Sequence, residues 1–441
     1  MQAVANAVLQ RLTEARNETD KLFEIVRAGA LYERPIPERH RIIFYIGHLE
    51  TFDWNLLRGR LLGVESFDPQ FDRLFAFGID PVGGGLPTDQ PSDWPSIAQV
   101  REYNRRLRQT IDDGLEKIDL SNSPQGGFSA ELLTNVAIEH RLMHAETLCY
   151  MLHQLPVANK IPPQTSKTNL SALPVTKQMI AIPEGSATLG LPRDGRFGWD
   201  NEFEAHQVHV PAFAIDKYKV TNGEYLEFIH AGGYQNRSLW SDVDWHWKTS
   251  QKISQPAFWK KSDGQWLYCT MFEEIPLPLD WPVYVSHAEA SAYAQWLGKS
   301  LPSEAQWHRA AYGTTDGREC EFPWGDELPD GDSSRGNFNF ASWDPTPVSA
   351  FPEGQSAFGV TDLAGNGWEW TSTVFAPFAG FQPFPFYPGY SADFFDGKHY
   401  VLKGGSPRTA ACMLRRSFRN WFQAHYQYVY AGFRCVSPAE K

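Results

Sequence analysis

The 441-residue chain carries 40 Lys and Arg against 52 Asp and Glu, a net charge of −12, and is 42% hydrophobic and 21% charged. That is a globular composition, and an acidic balance without a basic run argues against nucleic acid and membrane surfaces as partners. Five cysteines (Cys149, Cys269, Cys320, Cys412, Cys435) lack any CxxC spacing and fit a reducing cytoplasm better than a disulfide framework.

The length predicts two or three domains, and the first half reads as four helices. Ala3–Arg27 places Val4, Val8, Leu12, Ala15, Leu22 and Val26 on one side, and its charges leave no apolar stretch for a signal peptide or anchor. Arg39–Gly63 is a second amphipathic run, with His48 close to its apolar side and Glu50 and Asp53 nearby. Phe67–Pro95, rich in Gly and Pro, reads as a long irregular loop. A third helix starts at Ser96, where Gln99 completes a capping box. The fourth, capped by Ser129 and stopped by Pro156, carries His140 and His144 among Leu133, Val136, Ala137, Leu148 and Met151.

Residues four apart share one helical face, so both imidazoles point where the leucines point. An unsatisfied buried ring nitrogen costs about 1–3 kcal/mol. A carbonyl, Glu139 or Glu146 would remove that cost; so would a metal. If the helix of His48 is a neighbour in the bundle, three imidazoles converge, a ligand set that suits zinc or non-haem iron without separating them.

Val157–Lys177, with three prolines and several polar residues, reads as a linker between a helical bundle over 1–156 and a second domain over 178–441. Beyond it, Met179–Leu189, Gln207–Ile215 and Lys217–Val220 read as strands, and Asn222–His230 and Ser286–Leu297 as helices. From Gly313 onward turn residues recur every few positions, which predicts an irregular α+β domain. Most of the 16 tryptophans and 17 tyrosines fall after residue 190, material for an aromatic cage.

Several phrases of the second half carry a resemblance. Ile182-Pro183-Glu184-Gly185, Lys219-Val220-Thr221-Asn222-Gly223-Glu224-Tyr225, Leu301-Pro302-Ser303-Glu304-Ala305-Gln306-Trp307, Asp362 to Trp370, Lys403-Gly404-Gly405-Ser406 and Ala431-Gly432-Phe433-Arg434-Cys435 together resemble the formylglycine-generating-enzyme-like domain, a variant of the C-type lectin-like fold. His48, then His140, His144 and Glu146, resemble a DinB-type metal-binding bundle. Fused in this order, with Phe197-Gly198-Trp199-Asp200-Asn201-Glu202 after the linker, the halves are similar to the ergothioneine sulfoxide synthases.

That resemblance implies an α+β chain, a DinB-like four-helix bundle followed by a formylglycine-generating-enzyme-like domain. It implies iron(II) on His48, His140 and His144, molecular oxygen as co-substrate, and hercynine, the trimethylated betaine of histidine, as acceptor. Asn420 and Trp421 stand where the family binds the betaine, and Phe386, Tyr387 and Tyr390 are further candidate walls; Tyr387 and Tyr390 are also the candidate catalytic residues. Met143 replaces a family glutamine that contacts the substrate imidazole. An aspartate and an arginine that clamp γ-glutamylcysteine in several members are replaced by Phe422 and Tyr426, and Phe75 to Pro81 lacks the tyrosine pair of another branch. An unchanged acceptor with an altered donor site resembles the selenoneine synthase branch, which implies a selenosugar donor. Cysteine or another thiol, giving a carbon–sulfur bond, is the alternative. Further alternatives are a DinB-type thiol transferase, a formylglycine-type oxidase using Cys412 and Cys435, and a binding module with a structural metal. A structural calcium in the second half is left open.

Overall fold

The computed structural model describes residues 2–78, 86–117, 128–163, 176–329 and 334–439. The chain divides into two compact units, Met1–Thr165 and Ser166–Lys441. Ile79, Asp80, Pro81 and most of the expected linker lie outside the described residues.

The first unit holds helices α1 (Gln2–Glu24), α2 (Ile42–Leu57), α3 (Pro69–Phe77), α4 (Ile97–Leu115) and α5 (Ala130–His153). α2 runs on into a π-helical turn, Arg58–Leu62. The Ser96 capping box and the Ser129 cap form as expected, because each hydroxyl accepts from an otherwise orphaned amide of the first turn. α1 packs on α5, and α2 lies against α3, α4 and α5. Between them sits Arg141, with no exposed side chain, which donates to Glu50 (2.9 Å), Asp53 (2.6 Å) and the Leu49 carbonyl (2.9 Å).

α3 corrects the sequence reading, which took Phe67–Pro95 as irregular throughout. Asp68 caps this short helix through the Phe71 amide (3.0 Å), and Pro69 opens it. What holds it is tertiary. Asp72 accepts from the Trp54 indole (3.1 Å), the Ser66 hydroxyl (2.6 Å) and the Tyr103 hydroxyl (2.6 Å), which ties α3 to α2 and α4.

The second unit is α+β. Strands β1 (Met179–Ile182) and β2 (Gly185–Leu189) are followed by β3 (His206–Val210) and β4 (Phe213–Asp216), then α6 (Asn222–His230) and α7 (Asp242–Ser250). Next come β5 (Trp259–Ser262), β6 (Gln265–Cys269), β7 (Glu274–Pro276), α8 (His287–Trp296) and α9 (Glu304–Tyr312). β8 (Trp368–Val374), β9 (His399–Lys403), β10 (Asn420–Gln423), β11 (Ala431–Gly432) and β12 (Val436–Pro438) complete it. Lys217–Val220, expected as a strand, is not one: Lys219 instead turns its amine inward to the carbonyls of Asp362 and Gly365.

The sheets are small, with orders β1-β4-β12, β10-β9-β8-β11, β2-β3 and β5-β6-β7. Trp307, Phe213, Ile215, Leu363 and Val436 share one core. Several phrases singled out in the sequence meet in buried ion pairs: Arg434 forks onto Glu369 (2.5 and 2.9 Å), Arg419 onto Glu304 (2.9 and 3.1 Å) and Arg415 onto Glu202 (2.9 and 2.5 Å). Bidentate pairing of this kind fixes geometry as well as charge. Among the described residues no helix is long and apolar enough to cross a membrane, and none of the five cysteines forms a disulfide.

Candidate metal centre and aromatic cage

His48 lies on α2, and His140 and His144 lie one turn apart on α5, so the contact between these two helices brings three imidazoles together. One ligand nitrogen of each lies within 4.8 Å of the others. The ring centroids are 5.4 Å (His48 to His140), 5.0 Å (His48 to His144) and 4.5 Å (His140 to His144) apart.

Each ring is braced by the helix periodicity. Positions 44, 48 and 52 share one face of α2; Phe44 stacks on His48 (4.8 Å, 25°) and Phe52 on His140 (3.4 Å, 9°). His48 Nδ1 lies 2.7 Å from the Phe75 carbonyl oxygen of α3. A carbonyl only accepts, so Nδ1 carries the proton and Nε2 keeps its lone pair, as in histidines that ligate metals. Gly47 permits the approach, since a Cβ there would stand 2.3 Å from the Phe75 ring.

Burial lowers His48 to about 4, against the Phe75 bond that favours its protonated form; nearby His40 and Arg141 lower it further. Burial, then charges that include the other histidines, holds His140 and His144 well below the ordinary histidine range. All three are neutral at pH 7, the form that binds a metal. Nδ1 of His144 is buried without a hydrogen-bond partner among the described residues. The arrangement fits a three-nitrogen metal site. Met143 sits between the two histidines on α5 and offers a thioether where an amide would donate. Tyr45, read from the sequence only as part of the apolar run of this helix, has its ring 5.8 Å from His144; its place three residues before His48 was the available signal.

In the second unit, Asn420 and Trp421 open β10, which pairs with β9. Trp421 lies parallel to Phe375 (4.3 Å, 6°), with Tyr390 edge-on (5.4 Å) and Phe394 tilted (5.6 Å). Tyr390 stacks on Trp199 (4.0 Å) and lies 5.6 Å from Tyr387, and Phe386 stacks on Phe384 (5.1 Å). The structure therefore joins Trp421 to Tyr390 directly. It adds two walls that were not anticipated, Phe375 directly after β8 and Phe394 shortly before β9. The Asn420 side-chain oxygen Oδ1 accepts from the Trp421 backbone amide (2.9 Å), which leaves Nδ2 as a donor. Burial, reinforced by Asp200, pushes the Tyr387 phenol up to about 12, so it stays protonated at neutral pH. Phe422 and Tyr426 stack face to face (5.2 Å, 9°). Burial pushes the Cys435 thiol well above its ordinary range, the reverse of what a reactive cysteine needs.

Comparison with known proteins gives these features a family. Residues 166–439 match the sulfatase-modifying factor enzyme 1-like domain, and residues 11–148 match the DinB superfamily. Hercynine oxygenase from Mycolicibacterium thermoresistibile is 33% identical over 98% of this chain and 95% of its own. Ergothioneine biosynthesis protein 1 from Neurospora crassa is 29% identical over 92% of this chain and 55% of its own. The formylglycine-generating enzyme from Thermomonospora curvata is 32% identical over 44% of this chain and 71% of its own. With 33% identity running almost end to end, and a DinB domain ahead of a formylglycine-generating-enzyme-like one, the chain belongs to the ergothioneine sulfoxide synthase-like family of oxidative enzymes.

Proposed function

We propose that this protein is a mononuclear non-haem iron(II) enzyme that uses molecular oxygen to form a carbon–selenium bond at C2 of the imidazole of hercynine, with a selenosugar as donor. The observation that carries the reading is the cluster of His48, His140 and His144, within 4.8 Å, in a chain whose end-to-end relative is named hercynine oxygenase. Iron(II), when bound, supplies the one-electron chemistry of oxygen activation and open positions for substrate.

The chain's own residues do the rest. The Phe75 carbonyl fixes the His48 tautomer, and Phe44 and Phe52 cover the imidazoles with apolar surface. Trp421, with Phe375, Tyr390 and Phe394, offers π faces to a trimethylammonium group, and Asn420 Nδ2 a donor to a carboxylate. Tyr387, Tyr390 and Phe386 extend that wall, and the protonated Tyr387 is the candidate proton donor. Met143, a thioether, has no hydrogen to donate to a substrate ring.

The Phe422–Tyr426 stack supports the donor assignment. It puts aromatic surface where a zwitterionic thiol needs charge, and so favours an uncharged donor. Five cysteines outside any disulfide agree with a cytoplasmic site of action on small molecules.

The test is mass spectrometry of an aerobic reaction of the iron(II)-loaded protein with hercynine and a mixture of selenosugar, cysteine and γ-glutamylcysteine. A selenium adduct of hercynine is expected. A sulfur adduct alone assigns the carbon–sulfur reaction instead. No adduct and no oxygen uptake sinks the reading and leaves a metal-dependent transferase.

A further inference from the structure

A cavity of about 810 Å³ opens in the second unit between the start of α7, one face of α8, the chain leading into β9 and the residues that follow β10. None of the residues assigned above to hercynine lines it. Its volume falls within the range of small-molecule sites, about 300–1,000 Å³.

At one side Asp244 holds His425 through Oδ1 and Nε2 (2.7 Å), while its second oxygen accepts from the Ser241 hydroxyl (2.6 Å). The His425 ring lies flat on Trp247 (4.6 Å, 1°), so its orientation is fixed by a carboxylate and an aromatic plane together. With Nε2 given to Asp244, Nδ1 is the ring nitrogen left for a ligand. Opposite, Tyr400 stacks on the buried ring of His287 (3.7 Å). Tyr400 is thereby a rigid wall whose hydroxyl makes no hydrogen bond among the described residues. The side-chain amides of Gln295 and Gln423, both exposed to solvent and both lining the cavity, make none either among the described residues.

Those unspent groups decide the chemistry. Two primary amides and a phenol each donate and accept, and the imidazole adds one ring nitrogen. The one carboxylate is already committed to His425, and Lys398 at the rim is a single cation, so the cavity selects neither an anion nor a cation by charge. A ligand that satisfies amides and hydroxyls from both sides must itself donate and accept at several points while staying neutral.

We propose that this cavity is a second ligand site, for a neutral polyhydroxylated molecule of monosaccharide or cyclitol size, read by Gln295, Gln423, Tyr400 and the Asp244–His425 pair. It does not depend on the iron chemistry.

The test is saturation-transfer NMR on the metal-loaded full chain. The probes are glucose, galactose, mannose, N-acetylglucosamine and myo-inositol, with glucose 6-phosphate and choline as charged comparators. At least one neutral probe is expected to receive saturation, with affinity reduced about tenfold in Gln295→Ala and in Tyr400→Phe, each of which deletes one polar contact. Trp421→Ala should leave the signal intact. Both cavity variants alter partly exposed or terminal polar groups, so the fold is kept; far-ultraviolet circular dichroism checks it. Silence from every neutral probe, stronger binding of a charged one, or a signal that both cavity variants leave unchanged would overturn the proposal.

Discussion

Nδ1 of His48 on α2 lies 2.7 Å from the carbonyl oxygen of Phe75 on α3, so a short helix outside the histidine pair's own helix sets the tautomer of one imidazole of the cluster. The contact exists because position 47 has no side chain: a Cβ there would stand 2.3 Å from the Phe75 ring. Gly47→Ala should favour α2 itself by about 0.5–1 kcal/mol, yet it must push α3 away. Metal affinity should fall about 10–100-fold, the usual effect of losing such an outer partner, with helicity unchanged. Anaerobic iron(II) titration by calorimetry measures it, and equal affinity in variant and parent would mean that the carbonyl contact is dispensable.

Metal binding to the three histidines should register as stability. A ligand at a hundred times its Kd adds about 2.7 kcal/mol, a rise on the order of 5–10 °C in the unfolding temperature of a unit this size. Iron(II) or zinc should raise the melting temperature of the parent and leave His140→Ala and His144→Ala unmoved. A shift that survives in both variants would locate the metal elsewhere.

Arg141 sits between those histidines in sequence and, like them, meets α2, where it donates to Glu50, Asp53 and the Leu49 carbonyl. Arg141→Ala leaves the buried Asp53 without its cation, while Glu50 keeps Arg108 (2.7 Å), and should cost about 3–5 kcal/mol in urea unfolding. A loss below 1 kcal/mol, on the order of a surface pair, would show that Asp53 finds another partner.

The histidine cluster was legible because it sits on two long periodic helices with hydroxyl caps, where the face of each residue follows from its number. α3 was not: nine residues among glycines and prolines have no local pattern strong enough, and Asp72 holds the helix only through Trp54, Ser66 and Tyr103. The Phe75 carbonyl was invisible for a deeper reason, since every residue has one and its role depends on packing alone. In the second half the phrases were readable, but that Glu304 pairs with Arg419, or Glu202 with Arg415, across more than a hundred residues was not. The aromatic excess likewise pointed to clustered rings without saying that Phe375 and Phe394 would pack on Trp421.

Trp421→Ala removes the central ring of the proposed betaine site. A desolvated cation–π contact is worth about 2 kcal/mol, roughly a thirtyfold change in binding. Hercynine affinity should fall by that order, while histidine, which lacks the trimethylammonium group, should bind parent and variant alike. Fluorescence or calorimetric titration of both ligands checks it; an equal loss for histidine would assign Trp421 to packing instead.

Acid stability of the second unit should follow Glu319. Burial opposes its charge, but bonds from His308 and the Thr188 amide (2.8 Å) outweigh that and hold it at about 2 against an ordinary 4.5. A depressed carboxyl stabilises the fold fully above its unfolded value, and that contribution is lost as pH falls from about 4.5 toward 2, where the unfolded chain takes the proton first. Asp362 acts with the other sign. Burial raises it to about 6 from 3.8, so its effect is a loss of stability as pH rises through that window, and it is silent at lower pH. On the limb below about 3.8 Asp362 therefore adds no slope, while the depressed carboxylates still do. Glu319→Gln should flatten that limb and lower stability at neutral pH, because Gln offers Arg416 and His308 no charge. Urea midpoints followed by tryptophan fluorescence across the range give the slope, and an acid limb as steep in the variant as in the parent would assign the transition to other carboxylates.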